Sequence, residues 1–134
     1  MTPFHLKIVS PDGLLFDGQA EQLTVRTTTG DMGILAGHLS CVAPLGMGWA
    51  TVVIDGKPRY AACIGGMVSV VGGKVTLVPT TFEWADQIDA ARAEASYQRA
   101  DKVLHDQNAS GTDIALAEAR LHRALVRKSV ASYK

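Results

Sequence analysis

The texture of the chain changes at Trp84, and that change limits the fold more than any other feature. Before it, apolar and polar residues alternate with a period of two; after it glycine almost vanishes, and alanine, arginine and glutamate take over. Alternation sets one face of an extended segment against a core, whereas the later composition favours helix. The pattern predicts a β domain over residues 1–85 followed by helices over 86–134. A chain of 134 residues is long enough for one proper core and a small appendage.

Within the β part, Phe4, Leu6 and Ile8 alternate with His5 and Lys7, and Leu23 and Val25 alternate with Thr24 and Arg26. Both stretches read as half-buried strands. Asp55-Gly56 separates Trp49–Ile54 from Lys57–Ile64, and Gly72-Gly73 separates Met67–Val71 from Lys74–Val78. These dipeptides accept positive φ at both positions, the requirement of a tight hairpin turn. Short strands with Gly, Asp and Pro between them, and no helical period, point to an antiparallel sandwich or barrel.

In the tail one helix is expected from near Asp86 to about Gln107 and a second from Asp113 to about Ser132, with Asn108–Gly111 as the break and Thr112 as a cap. Their apolar stripes read as Ile88, Ala91, Ala95, Val103 and Leu104, and as Ile114, Ala117, Leu121, Ala124 and Leu125. Such alanine-rich faces bury little area. At about 25 cal/mol per Å² the pair gains modest stability by itself, which predicts a mobile element that needs a ligand or partner to hold its shape.

Thirteen basic residues balance thirteen acidic ones, so no overall field would hold nucleic acid or an anionic membrane. Cys41 and Cys63 lie apart in apolar stretches and read as buried reduced thiols. The amino terminus has no basic-then-apolar run, and no apolar stretch approaches the roughly 18 residues of a membrane span, so a cytoplasmic protein that reaches a membrane through partners is expected. Histidines 5, 38, 105 and 122 are too scattered for a metal site, and no nucleophile motif occurs. No catalytic set emerges.

Two groups of polar residues remain. Gly30–His38 lacks the Gly-Lys-Ser/Thr ending of a phosphate loop and reads as a stiff turn whose Asp31 and His38 either meet a partner or are simply solvated. On the helices, Asp89, Arg92 and Arg99 share one face, as do Arg120, Arg123 and Arg127. Converging guanidiniums repel one another unless an anion sits among them, and Arg pairs with phosphate through two parallel hydrogen bonds. A solvated charged face is the other reading of the same spacing.

The segments His5-Leu6-x-Ile8-Val9-Ser10-Pro11-Asp12-Gly13, Gly30-Asp31-Met32-Gly33-Ile34-Leu35-Ala36-Gly37-His38, Val42-Ala43-Pro44-Leu45, Gly65-Gly66-Met67-Val68-Ser69-Val70 and Val75-Thr76-Leu77 resemble the epsilon subunits of bacterial F-type ATP synthases. The likeness runs over essentially the whole chain. Ile88-Asp89-Ala90-Ala91-Arg92-Ala93 is similar to the (Ile or Leu)-Asp-x-x-Arg-Ala motif of ATP-binding members, and Glu83, Arg99, Arg123 and Arg127 fall where those members place ligand contacts. Ser40 stands where a proline is common and Ile64 where a serine is common.

The resemblance implies a ten-stranded sandwich bound to the gamma subunit of the central stalk, with Asp31 and His38 as partner-binding residues and one edge against the c-subunit ring. It implies a non-catalytic rotor subunit that couples proton flow to ATP synthesis at the cytoplasmic face of the bacterial plasma membrane. Its antiparallel helical hairpin would fold down on the sandwich or extend along gamma toward the alpha and beta subunits, where it restrains ATP hydrolysis. ATP is the implied regulatory ligand, held by Glu83, Ile88, Asp89, Arg92, Ala93, Arg99, Arg123 and Arg127, with Mg2+ left open. The rival reading is a free-standing nucleotide-binding module that uses the same hairpin without a motor.

Overall fold

The computed structural model describes residues 2–133 and divides into two compact units, one ending at Trp84 and one beginning at Ala85. The first holds β1 (Phe4–Ser10), β2 (Gly13–Ala20), β3 (Gln22–Thr27), β4 (Gly30–Ile34), β5 (Cys41–Pro44), β6 (Met47–Ile54), β7 (Lys57–Val71) and β8 (Lys74–Trp84). The second holds a 3-10 turn at Ala85–Gln87, then α1 (Ala90–Leu104) and α2 (Gly111–Ala131).

The strands pair in the order β2, β1, β8, β7, β6, β3, β4, with β5 added along β7. Leu6 and Ile8 of β1 nevertheless share one core with Leu23 and Val25 of β3, Ile34 of β4 and Val52 of β6. Strands distant along the sheet can share a core only if the sheet folds over on itself, so the unit is a sandwich.

The fold-over lies in the β7–β8 pair. Ala61 and Cys63 point into the core, and so do Val68 and Val70, so the inward phase shifts by one residue between them. Gly65 and Gly66 occupy the shift with φ of +69° and +98°, and Gly66 pairs with Pro79. In β8, Val75 and Leu77 face inward and then Trp84 does, so both strands change face at the same level. β7 accordingly pairs with β6 through Ile64 and with β5 from Met67 onward.

Several expectations need correction. Eight strands are described where the resemblance implied ten, because Lys57–Val71 and Lys74–Trp84 each run through the face change without a break. The sheet is not wholly antiparallel, since β1 runs parallel to β8 from His5 opposite Lys74 to Ile8 opposite Leu77. Cys63 is buried, but Cys41 is only half-buried. The two tight turns stand as read: Asp55-Gly56 and Gly72-Gly73 all take positive φ, the requirement of a type I′ hairpin turn.

In the second unit α1 begins at Ala90 and ends at Leu104, shorter than expected, because Asp89 is an extended N-cap whose side chain accepts from the Arg92 amide at 3.0 Å. Ser110, and not Thr112, caps α2 in a reciprocal capping box with Asp113. The buried stripe keeps the expected Ile88, Ala117 and Ala124 and differs elsewhere. On α1 it is Ala93 and Ala100, and on α2 Ala117, Ala124, Val126, Val130 and Ala131, while Val103 and Leu125 are exposed. Alanines spaced by seven form a narrow seam that lets two helices approach closely.

Candidate functional site

The helical pair is antiparallel, because Glu94 near the start of α1 meets Lys128 near the end of α2 at 2.5 Å. This contact fixes both the level and the flank of every other residue on the hairpin. Successive residues turn by about 100°, so a residue one place after a seam alanine lies on one flank and a residue one place before it lies on the other. Glu94 follows Ala93, and the flank it marks also carries Tyr97, over whose ring Lys128 Nζ stands 4.2 Å from the centroid.

Arg92 and Arg99 precede Ala93 and Ala100, and Arg123 precedes Ala124, so these three lie on the opposite flank. Arg120 and Arg127 follow Ala117 and Ala124 by three places and fall on that flank as well. The Glu94–Lys128 register sets Arg99 level with Arg123 across the seam. The fold thus gathers the arginines of both helices along one edge and the acid–lysine pair along the other.

Arg92, Arg99, Arg120 and Arg123 are exposed, and Arg127 is half-buried. Arg99 Nη2 donates to Ser96 Oγ at 3.1 Å. Among the described residues none of Arg92, Arg99, Arg120 and Arg123 makes an ion pair, so their charge is free for an anion.

The other residues named for the nucleotide lie differently. Ile88 and Ala93 are buried, and Asp89 is engaged as the cap of α1, its backbone carbonyl also accepting from the Ala93 amide at 3.0 Å. Glu83 belongs to β8 in the first unit, half-buried and paired in register with Ala62.

Asp31 is on a strand, β4, and not on the turn where the sequence placed it. It faces Arg26 of β3, whose Nε donates to Asp31 Oδ1 at 2.9 Å, and both side chains remain well exposed. Arg26 lies over Gly48 of β6; a β-carbon on Gly48 would stand 2.6 Å from the β-carbon of Arg26. His38 closes the turn after β4, its amide donating to the Leu35 carbonyl at 3.2 Å with Gly37 at φ +81°. Its ring donates from Nδ1 to the Leu39 carbonyl at 2.8 Å.

Chemistry of other kinds finds little purchase. Burial pushes the Cys63 thiol up to about 12, so it stays protonated and unreactive. Among the described residues no group of three His, Cys, Asp or Glu side chains is placed to hold a metal ion, and no helix is long and apolar enough to cross a membrane.

With this geometry in place, the likeness to known proteins can be stated. Residues 3–85 match a family model described as ATP synthase, Delta/Epsilon chain, beta-sandwich domain, and residues 86–132 match ATP synthase, Delta/Epsilon chain, long alpha-helix domain. The ATP synthase epsilon chain of Ruminococcus albus is 42% identical over 135 residues, covering 100% of both chains. That of Bacillus velezensis is 40% identical over 131 residues, covering 98% of each. A chain of the mitochondrial ATP synthase of Euglena gracilis superposes with a TM-score of 0.84 at 23% identity, over 100% of this chain and 83% of that one. A chain from the central stalk and c-ring of the Tetrahymena thermophila enzyme gives 0.62 at 10% identity, over 95% of each. Those two structural likenesses bear on the fold alone. The two domain matches, which together run from residue 3 to residue 132, and full-length relatives at this identity make the chain a member of the ATP synthase delta/epsilon chain family.

Proposed function

We propose that the chain is a rotor subunit of the synthase central stalk whose helical hairpin restrains ATP hydrolysis and reads the ATP concentration. As an epsilon-type chain it is a non-catalytic subunit of the complex. The sandwich is the part that binds the stalk's gamma subunit, with Asp31 and His38 as contact residues, and one of its edges meets the c-subunit ring. That full-length relatives at about 40% identity are ATP synthase epsilon chains supports this reading. Contact with the alpha and beta subunits belongs to the hairpin when it opens. Attachment to the cytoplasmic face of the plasma membrane is peripheral and runs through the complex.

The observation that carries ATP sensing is the arginine edge. Arg92 and Arg99 from α1 and Arg123 and Arg127 from α2 lie along one flank, so a triphosphate bound there bridges the two helices. A ligand that binds only the closed hairpin stabilises it by RT ln(1 + [L]/Kd) and withdraws population from the form that restrains hydrolysis. No hydrolysis at this site is needed.

Hydrolysis assays on the assembled enzyme test the reading. With the full chain, hydrolysis should start restrained and rise as ATP is raised; with a chain ending at residue 85, it should be unrestrained from the outset. Equal hydrolysis by the two assemblies at every ATP concentration would remove the regulatory role.

A further inference from the structure

The flank opposite the arginines carries a constellation that nucleotide binding does not use. Glu94 receives Lys128 Nζ on one carboxylate oxygen at 2.5 Å, and Gln98 Nε2 donates to the other oxygen at 2.9 Å. The same ammonium stands over the Tyr97 ring, 4.2 Å from its centroid. One cation from α2 is therefore held by two side chains of α1, one of them steadied by a third.

We propose that Glu94, Tyr97 and Lys128 form an interhelical clamp that holds the hairpin closed and so sets how strongly the arginine edge binds a polyphosphate. They act as positioning residues and touch no ligand. The ligand half of this inference rests on the nucleotide reading above; the clamp itself does not.

An exposed ion pair by itself contributes little, and two features make this one decisive. Lys128 is only 32% exposed and gains a cation–π contact in addition to the carboxylate, so its order is shared among several contacts. The seam it spans is built mainly of alanines, which bury little area, so the balance between closed and open hairpin is moved by small terms. Lys128 beside it, with the Gln98 amide, also holds the Glu94 carboxyl below its ordinary value. A polyphosphate bridging Arg99 and Arg123 needs both helices in register. Its apparent Kd is the intrinsic Kd divided by the closed fraction, so anything that opens the hairpin weakens binding without touching the ligand.

The test uses the full chain, amide hydrogen exchange in α1 and α2 without ligand, and calorimetric titration with ATP. Lys128→Met keeps the aliphatic stem and helix propensity but removes the charge. It should raise the opening constant of the helical amides about twofold to fivefold and weaken ATP by no more than the same factor. Lys128→Arg should restore both, and Glu94→Gln added to Lys128→Met should change little further. Exchange unchanged by Lys128→Met, or effects of the two substitutions that merely add, would overturn the clamp. If the unaltered chain binds no ATP, the nucleotide reading fails, and the exchange measurements still decide the clamp.

Discussion

A β-carbon on Gly66 would stand 2.0 Å from the carbonyl oxygen of Val78, so β7 and β8 meet backbone to backbone where they change face. Gly66 also sits at φ +98°, a conformation that residues with a side chain rarely adopt. Gly66→Ala should therefore destabilise the sandwich by about 3 kcal/mol or more, from backbone strain together with forced separation of the strands. Gly72→Ala is the control: it sits at φ +56° with nothing within 4 Å of the added carbon, and should cost only about 1 kcal/mol. Thermal unfolding of both variants measures the contrast, and equal losses would show that close approach at the face change is unimportant.

The same glycines show what was legible in the sequence. Asp55-Gly56 and Gly72-Gly73 announce tight turns because two adjacent residues that accept positive φ have few other uses between apolar runs. Gly65-Gly66 has the same local signature but a different role, and only the inward phase of Ala61 and Cys63 against Val68 and Val70 reveals a strand running through. The parallel pairing of β1 with β8 joins segments about 70 residues apart, which no local period encodes. On the helices Ile88, Ala117 and Ala124 were legible as buried, but Val103 and Leu125 are exposed, while Ala93 and Ala100, outside the expected stripe, make the seam of α1. Alanine is too weakly hydrophobic to settle the phase of a helix face, yet small enough to define a close contact. The arginines could be grouped by spacing within each helix, but their common flank needed the register that Glu94 and Lys128 supply.

Gly48 tests how Asp31 is presented. A β-carbon there would lie 2.6 Å from the Arg26 β-carbon and 3.0 Å from its γ-carbon, atoms near the backbone that cannot swing away. Gly48→Ala should displace Arg26 from Asp31, with a cost of about 1–3 kcal/mol in unfolding free energy. Arg26→Ala removes the ion pair without crowding and, with both partners exposed, should cost under about 1 kcal/mol. If Asp31 meets a partner, both variants should weaken capture by the gamma subunit and c-ring in a pull-down. Full capture by both would leave the Arg26–Asp31 pair a solvated surface feature.

The closed hairpin should loosen in acid through Glu94. Its carboxyl is held below the ordinary value of 4.5, first by the hydrogen bond from Lys128 and then by that from Gln98. A carboxyl with a lowered pKa in the folded state contributes stability that is present above 4.5 and is lost as pH falls through the lower folded value. Amide exchange in α1 and α2 should therefore quicken as pH drops below about 4.5 once the intrinsic pH dependence is removed, and Lys128→Met should lessen that change. The other acids of the hairpin are common to both proteins, so the difference between the two profiles isolates Glu94. Superimposable profiles would mean that Lys128 does not hold the Glu94 carboxylate in solution.

The arginine edge makes the strongest demand on the functional reading. Arg92→Ala and Arg99→Ala each remove an exposed guanidinium that has no ion-pair partner among the described residues, so neither should alter helix exchange without ligand by more than a small factor. If a triphosphate lies along that flank, each loses charge-assisted hydrogen bonds worth about 1.5–3 kcal/mol, and ATP affinity should fall roughly tenfold or more. Arg127 is half-buried, so Arg127→Ala changes packing as well as charge; Arg127→Lys keeps the charge, and should bind ATP less well than the parent but better than the alanine variant. If Ile88, Asp89 and Ala93 contact the base in the bound state, GTP should be a poorer ligand than ATP, because arginines alone cannot tell one base from another. Sulfate should compete weakly and without regard to these three positions. Calorimetry with ATP, GTP and sulfate on the parent and the four variants separates the cases: equal affinity for all three ligands would reduce the site to an arginine patch. No ATP binding at millimolar concentration would leave the hairpin a mechanical brake without a sensor.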